Sequence, residues 1–320
     1  MFFYEAFAEE AEAIRRHLPD DIQAAFTWRT IQETGHLRPP ARLVSIRTQS
    51  AIPLDWADQL DGILSRSTGY DHVRDYRRRT GVCVPAGYLP DYCSRAVAEQ
   101  AALLWMALLR RLPAQLEQFD AFCRDGLTGA ECAGRTLLVV GVGRIGREIV
   151  RIGEGLGMRV LGVDIDPKFD DVEYVSIDDG LPSGDVIVSA MSLNEGNVGY
   201  FDRARLGRAK DGAVFVNVAR GELAVTADLL TLLDAGPLGG VGLDVYECEQ
   251  ALAGAFRAGR PPPEADEIAA TLELSRRDNV ILTPHNAFNT AEAVERKAAR
   301  SVESIQQFLR DGTFPNPVPE

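Results

Sequence analysis

Two residue types that carry much of protein chemistry are scarce in this chain. It has four histidines and five cysteines in 320 residues. The cysteines are odd in number and form no Cys-x-x-Cys pair, which argues against a disulfide framework and a cysteine-based metal site. We therefore expect a reduced cytoplasmic protein without a metal. Because histidine is the side chain that titrates near neutral pH, each of the four is a candidate for acid–base chemistry.

Positive charge and long apolar runs are also lacking. The 34 lysines and arginines face 47 aspartates and glutamates, which gives a formal net charge of −13. This acidic excess argues against nucleic acid or an anionic membrane surface as a partner. A helix that spans a bilayer needs about 18 consecutive apolar residues, and the sequence contains no such run. The opening MFFYEAFAEEAEAIRRH lacks the basic start of a signal peptide. A small anionic substrate is still compatible with the negative net charge, since the charge of a nearby arginine outweighs the field of distant acidic residues.

The chain does contain a regular alternation of apolar strands and helices, and its length fits two domains. In the first hundred residues, buried strands are predicted at LVSIR (43–47), GILSRS (62–67) and GVCVP (81–85), with a long helix from Ser94. Later strands are predicted in RTLLVV, MRVLGVD, GDVIVSAM, GAVFVNVA, GGVGLDV and NVILTP. Strands that are apolar on both faces indicate parallel sheets covered by helices on both sides, which is the α/β class.

A glycine-rich turn joins the first of these later strands to a helix. Gly141, Gly143 and Gly146 form a GxGxxG pattern. Gly141 permits the tight turn, Gly143 lets the backbone approach a pyrophosphate, and Gly146 lets the helix pack on the strand. The backbone N–H groups of Arg144 and Ile145 would then face the phosphates at the positive end of the helix. The alternative is a purely structural turn, but the strand and helix around it favour a dinucleotide.

An acid stands at the end of the next strand, eighteen residues beyond the last glycine. Asp164 is placed to accept hydrogen bonds from the adenosine ribose hydroxyls, and it would repel a 2′-phosphate. The sequence therefore favours NAD(H) over the phosphorylated cofactor. Asp166 is a rival for this role, but Asp164 is the residue that ends the strand.

An arginine follows the buried strand in NVARGE. Because the carboxyl ends of strands line the ligand crevice of a doubly wound sheet, Arg220 is either a carboxylate clamp or an ion-paired structural residue. The planar guanidinium suits two-point recognition of a carboxylate.

A histidine and a group of acids follow two further strands. GLDVYECE places Asp244, Glu247 and Glu249 within six residues, and TPHNAF places His285 at the end of a strand. Such acids are often a solvated loop. Paired with His285, however, one of them would fix the imidazole tautomer and leave the other ring nitrogen to pass a proton near neutral pH. His72, after the TGYD turn, is the rival histidine.

Arg220, Glu249 and His285, in this order behind the glycine turn and Asp164, resemble the D-isomer-specific 2-hydroxyacid dehydrogenases. The resemblance covers nearly the whole chain and includes RSTGYDHV (66–73), AVAEQAALLWMALLR (96–110), VNVARGE, GLDVYECE and TPHNAF. Phe288, Tyr92 and the long segment between Glu249 and His285 are most similar to the D-lactate dehydrogenase branch. The chain departs from the family in two places: the usual proline of its YSP stretch is absent from residues 92–95, and Ser192 stands where a proline is common.

The resemblance implies two Rossmann-like doubly wound domains. A discontinuous, flavodoxin-like substrate domain would comprise residues 1–100 and 290–320, and an NAD-binding Rossmann domain would comprise residues 101–289. Further cofactor contacts are implied for Met191, Asn197, Val218, Ala219 and Asp244. Contacts with the substrate are implied for Thr68, Gly69, Tyr92 and Phe288.

The implied reaction is NAD-dependent reduction of a 2-oxo acid to the D-2-hydroxy acid, with pyruvate or a related small to medium apolar 2-oxo acid as substrate. Arg220 would bind the carboxylate, His285 would donate and accept the proton, and Glu249 would tune His285. A homodimer is implied as well. Three alternatives stay open: a glyoxylate/hydroxypyruvate reductase, a phosphite dehydrogenase on the same scaffold, and a non-catalytic NAD-sensing corepressor-like protein.

Overall fold

The computed structural model describes residues 1–319, which form two compact units. One unit comprises Met1–Cys93 and the chain from Asn289 onward, and the other comprises Ser94–Phe288. The strands are β1 (Phe2–Phe3), β2 (Ala25–Phe26), β3 (Leu43–Ile46), β4 (Gly62–Ser65), β5 (Ala86–Tyr88), β6 (Thr136–Val140), β7 (Arg159–Val163), β8 (Glu173–Tyr174), β9 (Val186–Ser189), β10 (Ala213–Asn217), β11 (Leu238–Leu243) and β12 (Val280–Leu282).

Helices alternate with these strands along the chain. They are α1 (Ala8–His17), α2 (Ile31–Thr34), α3 (Asp71–Thr80), α4 (Ser94–Leu109), α5 (Leu112–Glu117), α6 (Arg144–Gly155), α7 (Ile177–Gly180), α8 (Arg203–Leu206), α9 (Thr226–Ala235), α10 (Glu249–Arg257), α11 (Asp266–Leu274) and α12 (Ala291–Asp311). Two 3₁₀ turns lie at Leu54–Gln59 and Gly221–Leu223. Within residues 1–319, no helix combines the length and the apolar character needed to cross a bilayer.

The first unit is built on a five-stranded parallel sheet in the order β2-β1-β3-β4-β5. Helix α12 begins where the Thr290 hydroxyl accepts a hydrogen bond from the Ala293 N–H, and it ends at Gly312 in the left-handed region. Its apolar positions recur at helical spacing, and Val294, Ala298 and Ile305 are buried. This helix packs along α1, as expected when an amphipathic helix covers its apolar stripe.

The second unit is built on a seven-stranded parallel sheet in the order β12-β11-β10-β9-β6-β7-β8. Its central strands are buried along their whole length, as β9 and β10 show. Strand β6 lies beside β7 on one side and β9 on the other, so the chain changes direction across the sheet at β6. In open α/β sheets this switch point is where ligands bind. Two parallel α/β sheets confirm the predicted fold class.

One predicted strand is misplaced. GVCVP (81–85) was expected to pair in the sheet, whereas the strand begins only at Ala86. Gly81 ends α3 in the left-handed region. The Arg77 guanidinium then donates to the Val84 carbonyl, and Pro85 has no N–H to donate to a ladder. The two-residue strands β1, β2 and β8 carried no sequence signal.

Candidate active site

The glycine turn after β6 has the geometry that the sequence predicted. Gly141 has φ of +94°, and a Cβ on it would lie 2.5 Å from the backbone nitrogen of Met191. A Cβ on Gly146 would lie 2.0 Å from the Gly141 carbonyl oxygen, so α6 packs directly on the turn. A Cβ on Gly143 would meet nothing within 4 Å. The turn is therefore closed where protein packs on it and open at Gly143, as a pyrophosphate requires.

Asp164, directly after β7, is oriented by the same turn. Its Oδ2 accepts a hydrogen bond from the Val142 N–H at 2.6 Å, and its Oδ1 accepts one from the Asp166 N–H at 2.9 Å. Asp166 instead pairs with Lys168 at 2.9 Å on the exposed side. The carboxylate beside the glycine turn therefore belongs to Asp164. The open turn and this anchored acid fit an NAD molecule.

Four further predicted cofactor residues follow β9 and β10. Met191 touches the glycine turn, as described above. The Asn197 side chain closes its own loop, because its Oδ1 accepts from the Asn194 N–H and its Nδ2 donates to the Ser192 carbonyl, each at 2.8 Å. Val218 and Ala219 lie between the end of β10 and Arg220. Their contacts with a cofactor stay a prediction.

The backbone at Arg220 is held from two sides. Asn217, fully buried at the end of β10, donates from Nδ2 to the Arg220 carbonyl at 2.8 Å and accepts from the Ala219 N–H at 3.1 Å. A Cβ on Gly221 would lie 1.9 Å from the Tyr246 carbonyl carbon. Sequence reasoning missed Asn217, although a polar residue ending the apolar run AVFVN was a usable signal.

His285 and Glu249 form a hydrogen bond. The His285 Nδ1 lies 2.7 Å from the Glu249 Oε1, and each side chain is 18% exposed. Because an ionised carboxylate only accepts hydrogen bonds, the ring donates from Nδ1 and its Nε2 is left for another partner. His285 itself and Cys248, the N-cap before Glu249, both have φ in the left-handed region. Each such residue costs roughly 1–2 kcal/mol, so the surrounding contacts must impose this backbone.

Asp244 supplies much of that restraint. Its carboxylate is 1% exposed and accepts from the Thr283 hydroxyl at 2.6 Å, the Asn286 N–H at 2.8 Å and the Ala287 N–H at 2.9 Å. Burial raises the pKa of this carboxyl, although these hydrogen bonds and the nearby His285 oppose the rise. Asp244 therefore braces the turn that carries His285. Its predicted contact with the cofactor stays a prediction.

Tyr246 fixes the same turn from the neighbouring strand. Its hydroxyl contacts the carbonyl oxygens of both Thr283 and Leu243, and burial raises the pKa of this phenol. The tyrosine thereby ties the end of β11 to the end of β12, two residues before His285. Neither Tyr246 nor Thr283 was singled out from the sequence, because their bonds join segments far apart in the chain.

The remaining histidines have other surroundings. The rival, His72, has its Nε2 3.2 Å from the Ser65 hydroxyl in the first unit. His36 Nδ1 lies 2.7 Å from the Tyr4 hydroxyl. His17 does meet a carboxylate, Glu295 at 2.6 Å, but this pair lies on the exposed faces of α1 and α12. Among residues 1–319, no group of three or more His, Cys, Asp or Glu is arranged to hold a metal ion.

The predicted substrate residues are divided between the units. Thr68, Gly69 and Tyr92 belong to the first unit, and Phe288 belongs to the second. The Thr68 hydroxyl lies 3.7 Å from the Cys93 sulfur. Tyr92 is 4% exposed, and its ring is 5.6 Å from the ammonium nitrogen of Lys297.

The carboxyl ends of the second sheet thus carry two adjoining sets of residues. The glycine turn, Asp164 and Met191 follow β6, β7 and β9, whereas Arg220, Glu249 and His285 follow β10, β11 and β12. The first set fits a dinucleotide, and the second offers a cation and a carboxylate-bound imidazole. Together they define the class of nicotinamide-dependent dehydrogenases.

Comparison with known proteins gives the family. The profile of the D-isomer-specific 2-hydroxyacid dehydrogenase NAD-binding domain matches residues 102–287, more than half of the chain. The chain therefore belongs to the D-isomer-specific 2-hydroxyacid dehydrogenases, and its cofactor is NAD(H).

Individual relatives agree with this assignment. The chain is 32% identical to the D-lactate dehydrogenase of Escherichia coli (strain K12) over 261 residues, covering 79% of this chain and 78% of the relative. It is 30% identical to an aromatic 2-oxoacid reductase of Clostridium sporogenes (strain ATCC 15579) over 263 residues, covering 79% and 77%. The structure of the Aquifex aeolicus D-lactate dehydrogenase with NAD and lactic acid superposes with a TM-score of 0.84 at 26% identity, covering 100% and 99%. The predicted likeness to the D-lactate dehydrogenase branch is confirmed.

Proposed function

We propose that the protein reduces a 2-oxo acid to the D-2-hydroxy acid with NADH and catalyses the reverse oxidation with NAD. The observation that carries this proposal is the 2.7 Å bond between His285 and Glu249, on the same sheet edge as the glycine turn and Arg220. A protein that only senses NAD has no need of a carboxylate-bound imidazole at that edge. When bound, the nicotinamide supplies the hydride.

Arg220 binds the substrate carboxylate and polarises the 2-oxo group. The planar guanidinium can meet both oxygens of a carboxylate at once. The hydrogen bonds from Asn217 and the close packing of Gly221 support this role, because they hold the backbone of Arg220 in one position. A fixed cation at the carbonyl stabilises the negative charge that develops on its oxygen.

His285 moves the proton. As an imidazolium it gives the Nε2 proton to the developing alkoxide, and in the oxidation its neutral form accepts that proton from the hydroxyl. Glu249 accepts the hydrogen bond from Nδ1–H, which fixes the tautomer and the orientation of the ring. The brace formed by Asp244, Tyr246 and Thr283 supports this role, since it keeps the strained backbone at His285 in place.

The substrate is a small 2-oxo acid, and pyruvate is the first candidate because several relatives are D-lactate dehydrogenases. We propose that the Thr68 and Gly69 N–H groups bind the substrate carboxylate and that Tyr92 and Phe288 contact the rest of the molecule. The two aromatic rings predict an apolar contact.

A second copy of the chain is the proposed macromolecular partner. Large apolar side chains are exposed on and just after α4, at Leu103, Met106, Leu116, Phe119 and Phe122, the last two at 70% and 76%. Exposed apolar side chains concentrated in one stretch of chain support the expected homodimer, because large exposed apolar surface marks interaction sites. Light scattering should give twice the mass of the chain, and Phe119→Glu should shift it toward the monomer.

All five cysteines are free thiols, which supports the expected cytoplasmic location.

The test of the proposed reaction is a panel of 2-oxo acids. Purified protein is mixed with NADH and glyoxylate, pyruvate, hydroxypyruvate, 2-oxoisocaproate or phenylpyruvate, and the loss of NADH absorbance is followed. Oxidation of NADH with formation of the D-hydroxy acid is the expected result. Tight NADH binding without turnover of any 2-oxo acid would contradict the proposal.

A further inference from the structure

Glu247, the second of the three acids after β11, caps a helix that belongs to another segment of the second unit. Its Oε2 accepts a hydrogen bond from the Thr226 N–H at 2.7 Å. Thr226 is the first residue of α9, and the leading N–H groups of a helix have no acceptor within it. The N-cap of α9 is Val225, whose side chain makes no capping bond. The Glu247 carboxylate therefore takes the place of the missing cap, where the helix dipole also favours a negative charge.

This bond joins the segment after β11 to the segment that carries Arg220. Gly221 directly follows Arg220, and α9 begins shortly after it. A Cβ on Gly221 would lie 2.5 Å from the backbone nitrogen of Glu247, so the two segments are also in close contact there. The segments of Arg220 and Glu249 are thus joined twice, by packing at Gly221 and by the hydrogen bond to Thr226.

The segment after β11 is held from opposite sides by neighbouring residues. The Tyr246 hydroxyl bonds to the Leu243 and Thr283 carbonyls, and Thr283 directly follows β12. Glu247, next in the chain, reaches the helix that follows β10. Because β11 lies between β10 and β12 in the sheet, Glu247 provides the hydrogen bond on the side of Arg220.

The residue between Glu247 and Glu249 requires such support. Cys248 has φ of +53° and is the N-cap of α10 without a capping bond from its side chain. A residue with a Cβ is disfavoured in this left-handed region, and it keeps that backbone only where its surroundings impose it. Since Cys248 is exposed, the residues that flank it must supply the restraint. The next residue, Glu249, accepts the His285 bond at 2.7 Å.

We propose that Glu247 is a positioning residue for the proton-transferring pair, and that it acts through the backbone of Cys248 on the Glu249 carboxylate. The proposal rests on the reaction proposed above. It gives each of the three acids after β11 a separate task. Asp244 holds the turn that carries His285, Glu247 holds the segment that carries Glu249, and Glu249 orients the ring.

The first test removes the bond from its acceptor side. Displacing reacting groups by ~1 Å can slow a reaction by about 10²-fold, so we expect Glu247→Ala to lower kcat by about 10-fold or more. The KM for the 2-oxo acid and the Kd for NADH should change little, because Asn217 also holds the Arg220 backbone. Glu247→Gln keeps an oxygen that can accept from the Thr226 N–H, and it should recover most of kcat.

The second test removes the same bond from its donor side. Thr226→Pro deletes the N–H at the first position of α9, where proline is well tolerated. Val225 before it is already extended, with φ of −75° and ψ of 109°, as a residue preceding proline must be. Thr226→Pro should therefore lower kcat as Glu247→Ala does, and the double variant should be no slower than either.

Asp228→Ala separates positioning from the general loss of a helix cap. Asp228 lies in the first turn of α9, and its Oδ2 accepts the N–H of Arg203, the first residue of α8, at 2.8 Å. Asp228→Ala and Glu247→Ala should lower the urea midpoint by similar amounts, but only the second should lose kcat. Equal kcat losses in both, wild-type kcat in Glu247→Ala, or a Glu247→Gln variant as slow as Glu247→Ala would overturn the proposal.

Nitrogen NMR of the His285 ring tests the proposal without turnover. The bond to Glu249 selects the tautomer of the neutral ring that carries its proton on Nδ1, and the His285→Gln spectrum identifies its signals. Glu247→Ala should shift the ring toward the other tautomer, and Glu247→Gln should not. If no 2-oxo acid oxidises NADH but this shift occurs, the proposed function fails while the positioning role stands. An unchanged tautomer in Glu247→Ala would contradict that role.

Discussion

The two units each contain a carboxylate paired with a nitrogen cation or imidazole, but the two groups are built differently. Glu10, Arg66 and Lys297 are fully enclosed in the first unit. Glu249 and His285, in the second unit, are each 18% exposed and rest on left-handed backbone. An enclosed group cannot exchange protons readily with a substrate, whereas a partly exposed one can. This difference is the one we expect if the first group stabilises the fold and the second performs the proton transfer proposed above.

The largest change in free energy is expected from removing the carboxylate of the buried group formed by Glu10, Arg66 and Lys297. Glu10→Gln leaves Arg66 and Lys297 buried without their carboxylate, which should destabilise the protein by about 3–5 kcal/mol. Urea unfolding at pH 7 measures the loss. Glu9→Gln, on the exposed side of the same helix, should change the free energy of unfolding by less than about 0.5 kcal/mol. A similarly small loss for Glu10→Gln would show that the buried charges do not depend on one another.

A smaller free-energy change is expected from a substitution of Arg220, at the carboxyl edge of the second sheet. It should appear in the activation free energy of the reaction. Arg220→Lys keeps the charge but loses the planar fork, so kcat/KM for the 2-oxo acid should fall by about 10²-fold with little change in stability. Arg203→Lys, at the start of α8, serves as the matched variant and should behave as the wild type. Equal kcat/KM in Arg220→Lys and wild type would remove Arg220 from carboxylate recognition.

The smallest effect is expected from removing one hydrogen bond that holds the turn carrying His285. Tyr246→Phe deletes the hydroxyl that reaches the Thr283 carbonyl, and one such bond contributes about 1 kcal/mol. We expect kcat to fall several-fold while the Kd for NADH stays the same. Tyr174→Phe is the control, because the Tyr174 hydroxyl is buried without a hydrogen-bond partner among residues 1–319. A kcat equal to that of the wild type would mean that the turn holds without this bond.

Sequence patterns predicted the parts of the site that are formed by contiguous segments of the chain. The glycine turn and Asp164 follow from a strand, a turn and a helix that are contiguous in the chain. Their geometry could be predicted because Gly141 and Gly146 leave no room for a side chain. The positions of Arg220, Glu249 and His285 followed from the rule that strand ends share one edge.

What the sequence did not reveal depends on contacts between distant segments. Tyr246 donates to the carbonyl groups of Leu243 and Thr283, and the Thr283 hydroxyl donates to Asp244, so neither residue belongs to a local sequence pattern. The left-handed backbone at His285 is imposed by Asp244 and its neighbours rather than by a glycine. The charged groups near Tyr92 come from α1 and α12, which lie far from it in the chain, so no residue pattern predicts them.

The most direct test of the account is the turnover of His285→Gln, measured with the best 2-oxo acid at saturating NADH. Glutamine cannot donate a proton as an imidazolium does, so we expect kcat to fall by about 10²-fold or more while the Kd for NADH is unchanged. His72→Gln, made in parallel, should keep wild-type turnover. Undiminished turnover in His285→Gln would contradict the proposed mechanism, because the proton would then have to come from another group.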